Sequence, residues 1–264
     1  MAKKVGFALG AGGSRGIAHI GFLKAMEEGG VKADFVVGTS MGSVIGACYS
    51  AGFTADFMHE EILKLKPNDI FNISLNPISG ASLLRTEKMR KKLASYFAKF
   101  PSFNDLQIPF KTVAVDLYTG NIKLFSGDED VSEGVTASCS IPGVFKAVEK
   151  NDMLLVDGGI KCRVPVNEVR EMGADVVIAV DVLGDVMPKI KKYNLFSLMF
   201  RMYDIMDADL TNHKIKESKP DVYLLPELGT MDPYKFKDLE FAYNAGYNVG
   251  KANLEKIKKK IGIE

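Results

Sequence analysis

The stretch Asp34-Phe35-Val36-Val37-Gly38-Thr39-Ser40-Met41-Gly42-Ser43-Val44-Ile45-Gly46-Ala47-Cys48 decides the fold. Phe35-Val36-Val37 has the aromatic and β-branched character of a short buried strand, and Ser43 to Cys48 has the small, apolar character of a buried helix. Between them lies G-x-S-x-G. Glycines on both sides of a serine let the backbone turn sharply and hold the hydroxyl clear of the sheet. The uncharged run Phe35 to Ala55 is also long enough to cross a bilayer, with Gly38, Gly42 and Gly46 at GxxxG spacing. Nine of its residues are Gly, Ser or Thr, which dilutes the apolar content and favours a buried strand, turn and helix.

Working outward, further apolar runs rich in β-branched residues occur at Val5–Leu9, Thr112–Val115, Ile122–Phe125, Leu154–Val156, Val176–Val180 and Val222–Leu225. Helix-like stretches separate most of them, the sequence mark of an α/β sheet. Tyr118-Thr119-Gly120-Asn121 reads as a hairpin, but the other spacers are long enough for crossover helices. The expected architecture is therefore a three-layer α/β/α fold with a largely parallel central sheet. Without repeats, a low-complexity linker or a composition break, residues 1–264 read as a single domain. The loosest stretch, Pro67 to Ser82, reads as a loop or flap near the site. The opening MAKKVGFALGAGGSRG imitates a leader peptide, but its apolar part is short and glycine-rich and runs into Arg15, so it reads as a first strand.

Composition excludes several functions. With 34 basic and 33 acidic side chains the formal charge is +1, which gives no bulk field for a nucleic acid, and 47% hydrophobic content excludes general disorder. Cys48, Cys139 and Cys162 form no C-x-x-C pair, against both a disulfide framework and a thiolate metal site, and a reducing, cytoplasmic compartment fits best. No Cys, His or Asp cluster has metal-ligand spacing, so neither metal nor cofactor is expected. Oligomeric state is not legible.

Two long helices are expected after residue 185. In the first, Leu195, Leu198, Met199, Met202 and Met206 follow a 3.6-residue period, widened by Phe196, Phe200 and Tyr203, after Lys189, Lys191 and Lys192. That face suits either the core or an adaptable surface touching an acyl chain or a membrane interface. The second, Lys235 to Ile263, ends in Lys256, Lys258, Lys259 and Lys260, charges that suit a helix C-terminus.

Gly10-Ala11-Gly12-Gly13-Ser14-Arg15-Gly16 follows the first strand and opens a helix. Such a loop gathers backbone N–H groups and can hold a phosphate or an oxyanion. A dinucleotide-dependent oxidoreductase would need an acid near the end of the second strand, where this chain has Gly38-Thr39-Ser40. Arg15, a cation in a first helical turn, needs a partner: a buried acid that anchors the loop, or an anionic substrate. A serine nucleophile also needs a base. His19 reads as a packed helix residue, His59 falls on a polar stretch beside Glu60 and Glu61, and His213 comes late enough to imitate the order of an α/β-hydrolase triad, although Ser40 comes too early for that fold. Three strand-end aspartates remain, Asp116, Asp157 and Asp181, and Asp157 is followed by Gly158-Gly159.

Taken together and in this order, the glycine loop, GTSMG and DGG resemble the patatin-like phospholipases. The similarity extends through Gly16-Ile17-Ala18-His19-Ile20-Gly21, Ala137-Ser138-Cys139-Ser140-Ile141-Pro142-Gly143-Val144-Phe145 and Pro226. The resemblance implies Ser40 as nucleophile and Asp157 as base without a catalytic histidine. It also implies an oxyanion hole from Gly12, Gly13 and Ser14 with Arg15 in the loop, and Gly38, Gly42, Gly158 and Gly159 as motif glycines. The implied substrate is a lipid or related acyl ester, cleaved in the manner of a phospholipase A or lysophospholipase, with peripheral membrane contact and no nucleic acid. A silent lipid-binding protein would share these features without turnover. Two departures from the family pattern stand out: the loop triplet is Ala11-Gly12-Gly13, and after DGG, where many members carry asparagine before the proline, this chain reads Ile160-Lys161-Cys162-Arg163-Val164-Pro165.

Overall fold

Along the first strand, β1 (Val5–Leu9), Val5, Phe7 and Leu9 join one apolar core and Ala8 joins another, so period-two alternation buries both faces of the strand. The computed structural model describes residues 3–64, 72–73, 84–184, 194–233 and 235–263. Besides β1 they contain β2 (Phe35–Thr39), β3 (Asn72–Ile73), β4 (Leu84–Arg85), β5 (Phe110–Asp116), β6 (Ile122–Phe125), β7 (Val148–Lys150), β8 (Met153–Asp157), β9 (Val176–Val180) and β10 (Val222–Leu224). All seven runs read from the sequence are strands. Most of the expected loop Pro67 to Ser82 lies outside the described residues, as do Lys189, Lys191 and Lys192.

The helices are α1 (Ala18–Glu28), α2 (Met41–Ser50), α3 (Ala55–Lys64), α4 (Glu87–Tyr96), α5 (Val131–Ser138), α6 (Val166–Glu171), α7 (Leu195–Ser218) and α8 (Leu239–Ile261). Phe22 of α1, Ile45 of α2, Met58 of α3, Leu93 of α4, Val135 of α5 and Ala242 of α8 fill one core. Val166 and Val169 of α6, with Ile215 of α7, cover the other face. Helices thus lie on both sides of the sheet, as expected for three layers. Among the described residues no helix is long and apolar enough to cross a membrane, and the uncharged Phe35 to Ala55 is indeed strand, turn and helix. The last helix starts at Leu239 rather than Lys235, after a left-handed Asp238, and ends at Gly262 with φ 80°.

The sheet is mixed. Strands β10, β9, β1, β2 and β5 pair in parallel, in that order. β6 and β8 run antiparallel to β5, and β7 antiparallel to β8. β6 pairs with residues 112–115 of β5, which overlap the β5 residues paired with both β2 and β8. A strand has only two edges, so β2 and β8 must share the other one. β2 ends at Thr39 opposite Val113, and β8, running the opposite way, ends at Asp157 opposite Ala114. The two strands therefore meet tip to tip, and the chain positions that follow Thr39 and Val156 are brought together.

Candidate active site

Ser40 stands at the tip of β2 as the residue before α2, with φ 55° and ψ −124°. A non-glycine residue at positive φ is strained, and the surroundings must hold it there. Its N–H donates to Ser138 Oγ at 2.8 Å, and its carbonyl accepts from Ser43 Oγ at 2.6 Å. Thr39 Oγ1 donates to Cys162 O at 2.9 Å, tying the elbow to the segment after DGG. A Cβ on Gly42 would collide with the carbonyl oxygens of Leu9 and Gly10, so only glycine lets α2 leave the turn this close to β1.

Asp157 is buried and faces the same point. Its carboxylate accepts from Gly159 N–H at 2.7 Å, and its own N–H donates to Ser140 O at 3.0 Å. Burial pushes the carboxyl up to about 7, against the nearby Ser40 hydroxyl and the Gly159 N–H, which favour its charged form, and the charge of Asp207 adds to the rise. Gly158 lets the chain leave β8 across β5, since a Cβ there would strike the Val113 carbonyl. Cys139 sits alongside, 3.9 Å from Ser43 Oγ, and burial pushes its thiol far above the ordinary range. It is packing rather than a rival nucleophile.

The glycine loop borders the same cavity as Ser40. Gly10 N–H donates to Val180 O at 3.0 Å and Ala11 N–H to Arg163 O at 2.9 Å, which fix the start of the loop. Ser14 N–H, expected in the oxyanion hole, is engaged with Pro233 O at 2.9 Å. Among the described residues the N–H groups of Gly12 and Gly13 meet no acceptor, and Gly13 borders the cavity. Arg15 is 2% exposed and anchors three carbonyls rather than a buried acid: Met231 O at 2.7 Å, Leu183 O at 2.9 Å and Gly229 O at 3.0 Å. It clamps the late loops over the glycine turn.

The other sequence candidates have structural roles. Asp116 holds the β5–β6 turn, accepting from Thr119 Oγ1 at 2.7 Å and Leu154 N–H at 3.0 Å. Asp181 is fully buried and accepts from Arg163 at 2.8 Å and from Tyr223 Oη at 2.7 Å, while Arg163 also reaches Asp207 at 2.9 Å. Arg163 is thus neutralised by two carboxylates, one just after β9 and one from α7. His19 donates from Nε2 to Gly10 O at 2.8 Å and is kept neutral by burial, which pulls it down to about 4. His59 pairs with Glu240 and stacks on Tyr243, and His213 is exposed on α7. None of the three histidines lines the cavity. Sequence reasoning missed Ser138 and Pro233; the first lies in a run already noted for its similarity, but nothing local marks the second.

The cavity over Ser40 has a volume of about 960 Å³ and runs along α2 past Met41, Val44, Ile45 and Cys48. Phe53, Phe57, Met58 and Ile62 continue it, and Met89, Leu93 and Tyr96 close it. Its charged lining comprises Arg163, Arg201, Asp204, Asp207, Asp232 and Lys235, with Glu61 and Lys92 beside the apolar side chains of α3 and α4. An apolar arm together with a group of charged lining residues suits an amphiphile. Among the described residues no cluster of His, Cys, Asp or Glu is arranged to hold a metal.

Residues 7–170 match the family model described as Patatin-like phospholipase. An NTE family protein of Mycobacterium tuberculosis is 36% identical over 182 residues, 69% of this chain and 49% of that protein. Lysophospholipase NTE1 of Coccidioides immitis is 27% identical over 99% of this chain and 18% of its own length. The chain thus spans about half the length of the mycobacterial relative. Among solved structures, VipD from Legionella pneumophila superposes with a TM-score of 0.58 at 11% identity, over 97% of this chain and 67% of that one, a likeness of fold.

Proposed function

The chain belongs to the patatin-like phospholipase family, and within it we propose a serine acyl hydrolase that cleaves carboxylic esters of lipids, with residues 1–264 as one hydrolase domain. Ser40 is the nucleophile and Asp157 its base. The observation that supports this reading is the tip-to-tip meeting of β2 and β8, which brings a strained serine close to a buried carboxylate.

Asp157 takes the hydroxyl proton as Ser40 Oγ attacks the ester carbonyl, and Gly12 and Gly13 N–H groups receive the oxyanion. The tetrahedral intermediate collapses to an acyl-serine while Asp157 returns the proton to the leaving alcohol. Water then attacks the acyl-serine, giving its proton to Asp157, and the fatty acid departs as Ser40 is restored. The apolar arm along α2 takes the acyl chain and the charged residues of the lining take the head group, in the manner of a phospholipase A or lysophospholipase. Such substrates reside in membranes, so the reading includes peripheral contact with a lipid surface.

Ser40→Ala and Asp157→Asn should each lose turnover of a p-nitrophenyl ester by at least about 10³-fold while remaining folded by circular dichroism. His213→Ala should keep it. A fluorophosphonate should label Ser40 in the unaltered chain, and full activity in the Asp157 variant would move the base elsewhere.

A further inference from the structure

We propose that the outer face of α7 is a docking face for an anionic phospholipid bilayer. Leu195, Leu198, Met199, Met202, Ile205 and Met206 share one side of this helix, and all are exposed, from 43% at Leu198 to 71% at Leu195. At about 1.5 Å per residue the stripe runs for roughly 16 Å. A surface helix ordinarily turns its apolar side inward. This one has two working sides: Ser197, Phe200, Asp204 and Asp207 on the opposite side line the cavity that holds Ser40, and Ala208 and Thr211 are buried.

Charge and chemistry select the occupant. Between Gly184 and the first residue of α7 the sequence carries Lys189, Lys191 and Lys192 against a single acid, Asp185. An apolar helical stripe led in by basic residues is the pattern that lies in the plane of an anionic interface, apolar side among the acyl chains. Three of the six stripe residues are methionines, whose flexible side chains suit a fluid partner better than a fixed one. The capping box of Asn194 and Ser197 fixes the start of the helix, so the stripe is presented on a preformed element. This inference rests on the hydrolase reading only for its purpose: with α7 in the interface, the cavity behind it opens beside the lipid it is to take up.

The test is sedimentation of the full chain with vesicles of equimolar phosphatidylcholine and phosphatidylglycerol. The unaltered chain and Ser40→Ala should pellet alike. The triple variant Met199→Glu, Met202→Glu, Met206→Glu should partition at least about tenfold less, and the corresponding triple glutamine variant should follow it, which excludes charge repulsion as the cause. Both triple variants should keep the turnover of a soluble short-chain ester. Failure of the unaltered chain to pellet, or equal pelleting of the variants, would overturn the proposal. So would light scattering that shows a dimer dissolved by the same substitutions, since a second copy would then cover the stripe. Pelleting by a chain that turns over no ester would leave the docking face standing and remove the hydrolase reading instead.

Discussion

At the scale of single residues, Asp157 is asked to be buried for function and charged for catalysis. Its carboxyl sits at about 7 because burial penalises the anion more than Ser40 and Gly159 favour it. As the proposed base it must be ionised, so kcat/KM should fall with acid along a limb centred near that value, measured on a soluble ester. A profile flat down to the ordinary carboxylate range would contradict the assignment. Stability should move the other way. The folded chain holds a proton that the unfolded chain releases at an ordinary aspartate value, so the stabilisation is complete below that value and is lost as pH rises through about 7. Asp157→Asn removes the titration, and its melting temperature relative to the unaltered chain should rise across that window. Arg163 poses the complementary problem. Burial opposes its charge, but Asp181 and Asp207 outweigh burial and push its pKa up. Arg163→Met would leave two carboxylates buried without their cation, and should cost about 3–5 kcal/mol in a denaturant melt.

At the scale of elements, the proposed catalysis depends on where two strands stop. β2 and β8 lie end to end along β5, and the glycine after Asp157 passes directly over the Val113 carbonyl. Gly158→Ala should push the tip of β8 away from β5 and part Asp157 from Ser40. A displacement of this kind is expected to lower kcat/KM on the order of 10²-fold in a chain that still folds, read from steady-state kinetics beside a far-UV spectrum. The strands themselves were legible because β-branched runs bounded by turn residues need no long-range information. Their directions were not. A buried run looks the same whichever way it is threaded, so the reversal of β8 does not show in the residues of β8. Asn151 and Asp152, both at positive φ, make the two-residue turn of the β7–β8 hairpin, but that turn sets β7 against β8 and leaves the direction of β8 along β5 open. Ser40, Asp157 and the glycine loop were legible as motifs. The engagement of Ser14 by Pro233, and of Arg163 by Asp181 and Asp207, were not, because each joins residues far apart in sequence whose approach only the folded sheet determines.

At the scale of the whole molecule, the apolar arm is a product of several helices meeting on one face of the sheet, with α2 as its floor. Met41, Val44, Ile45 and Cys48 recur at helical spacing from the elbow outward, so the arm follows the helix for roughly 10 Å before α3 and α4 take over its walls. Cys48 stands at that handover. Its thiol, pushed up to about 12 by burial, behaves as a small apolar group, and it is the smallest of the four side chains on the floor. Cys48→Phe would fill the arm beyond the positions nearest Ser40 without touching the elbow, the glycine loop or Asp157. For p-nitrophenyl butyrate kcat/KM should hardly change, because a short chain ends before the obstruction. For the palmitate it should fall about tenfold or more, through KM and kcat together, since the chain can no longer seat its ester against Ser40. An equal loss on both esters would mean that the substitution had disturbed the elbow, and an equal gain or no change would place the acyl chain elsewhere in the cavity.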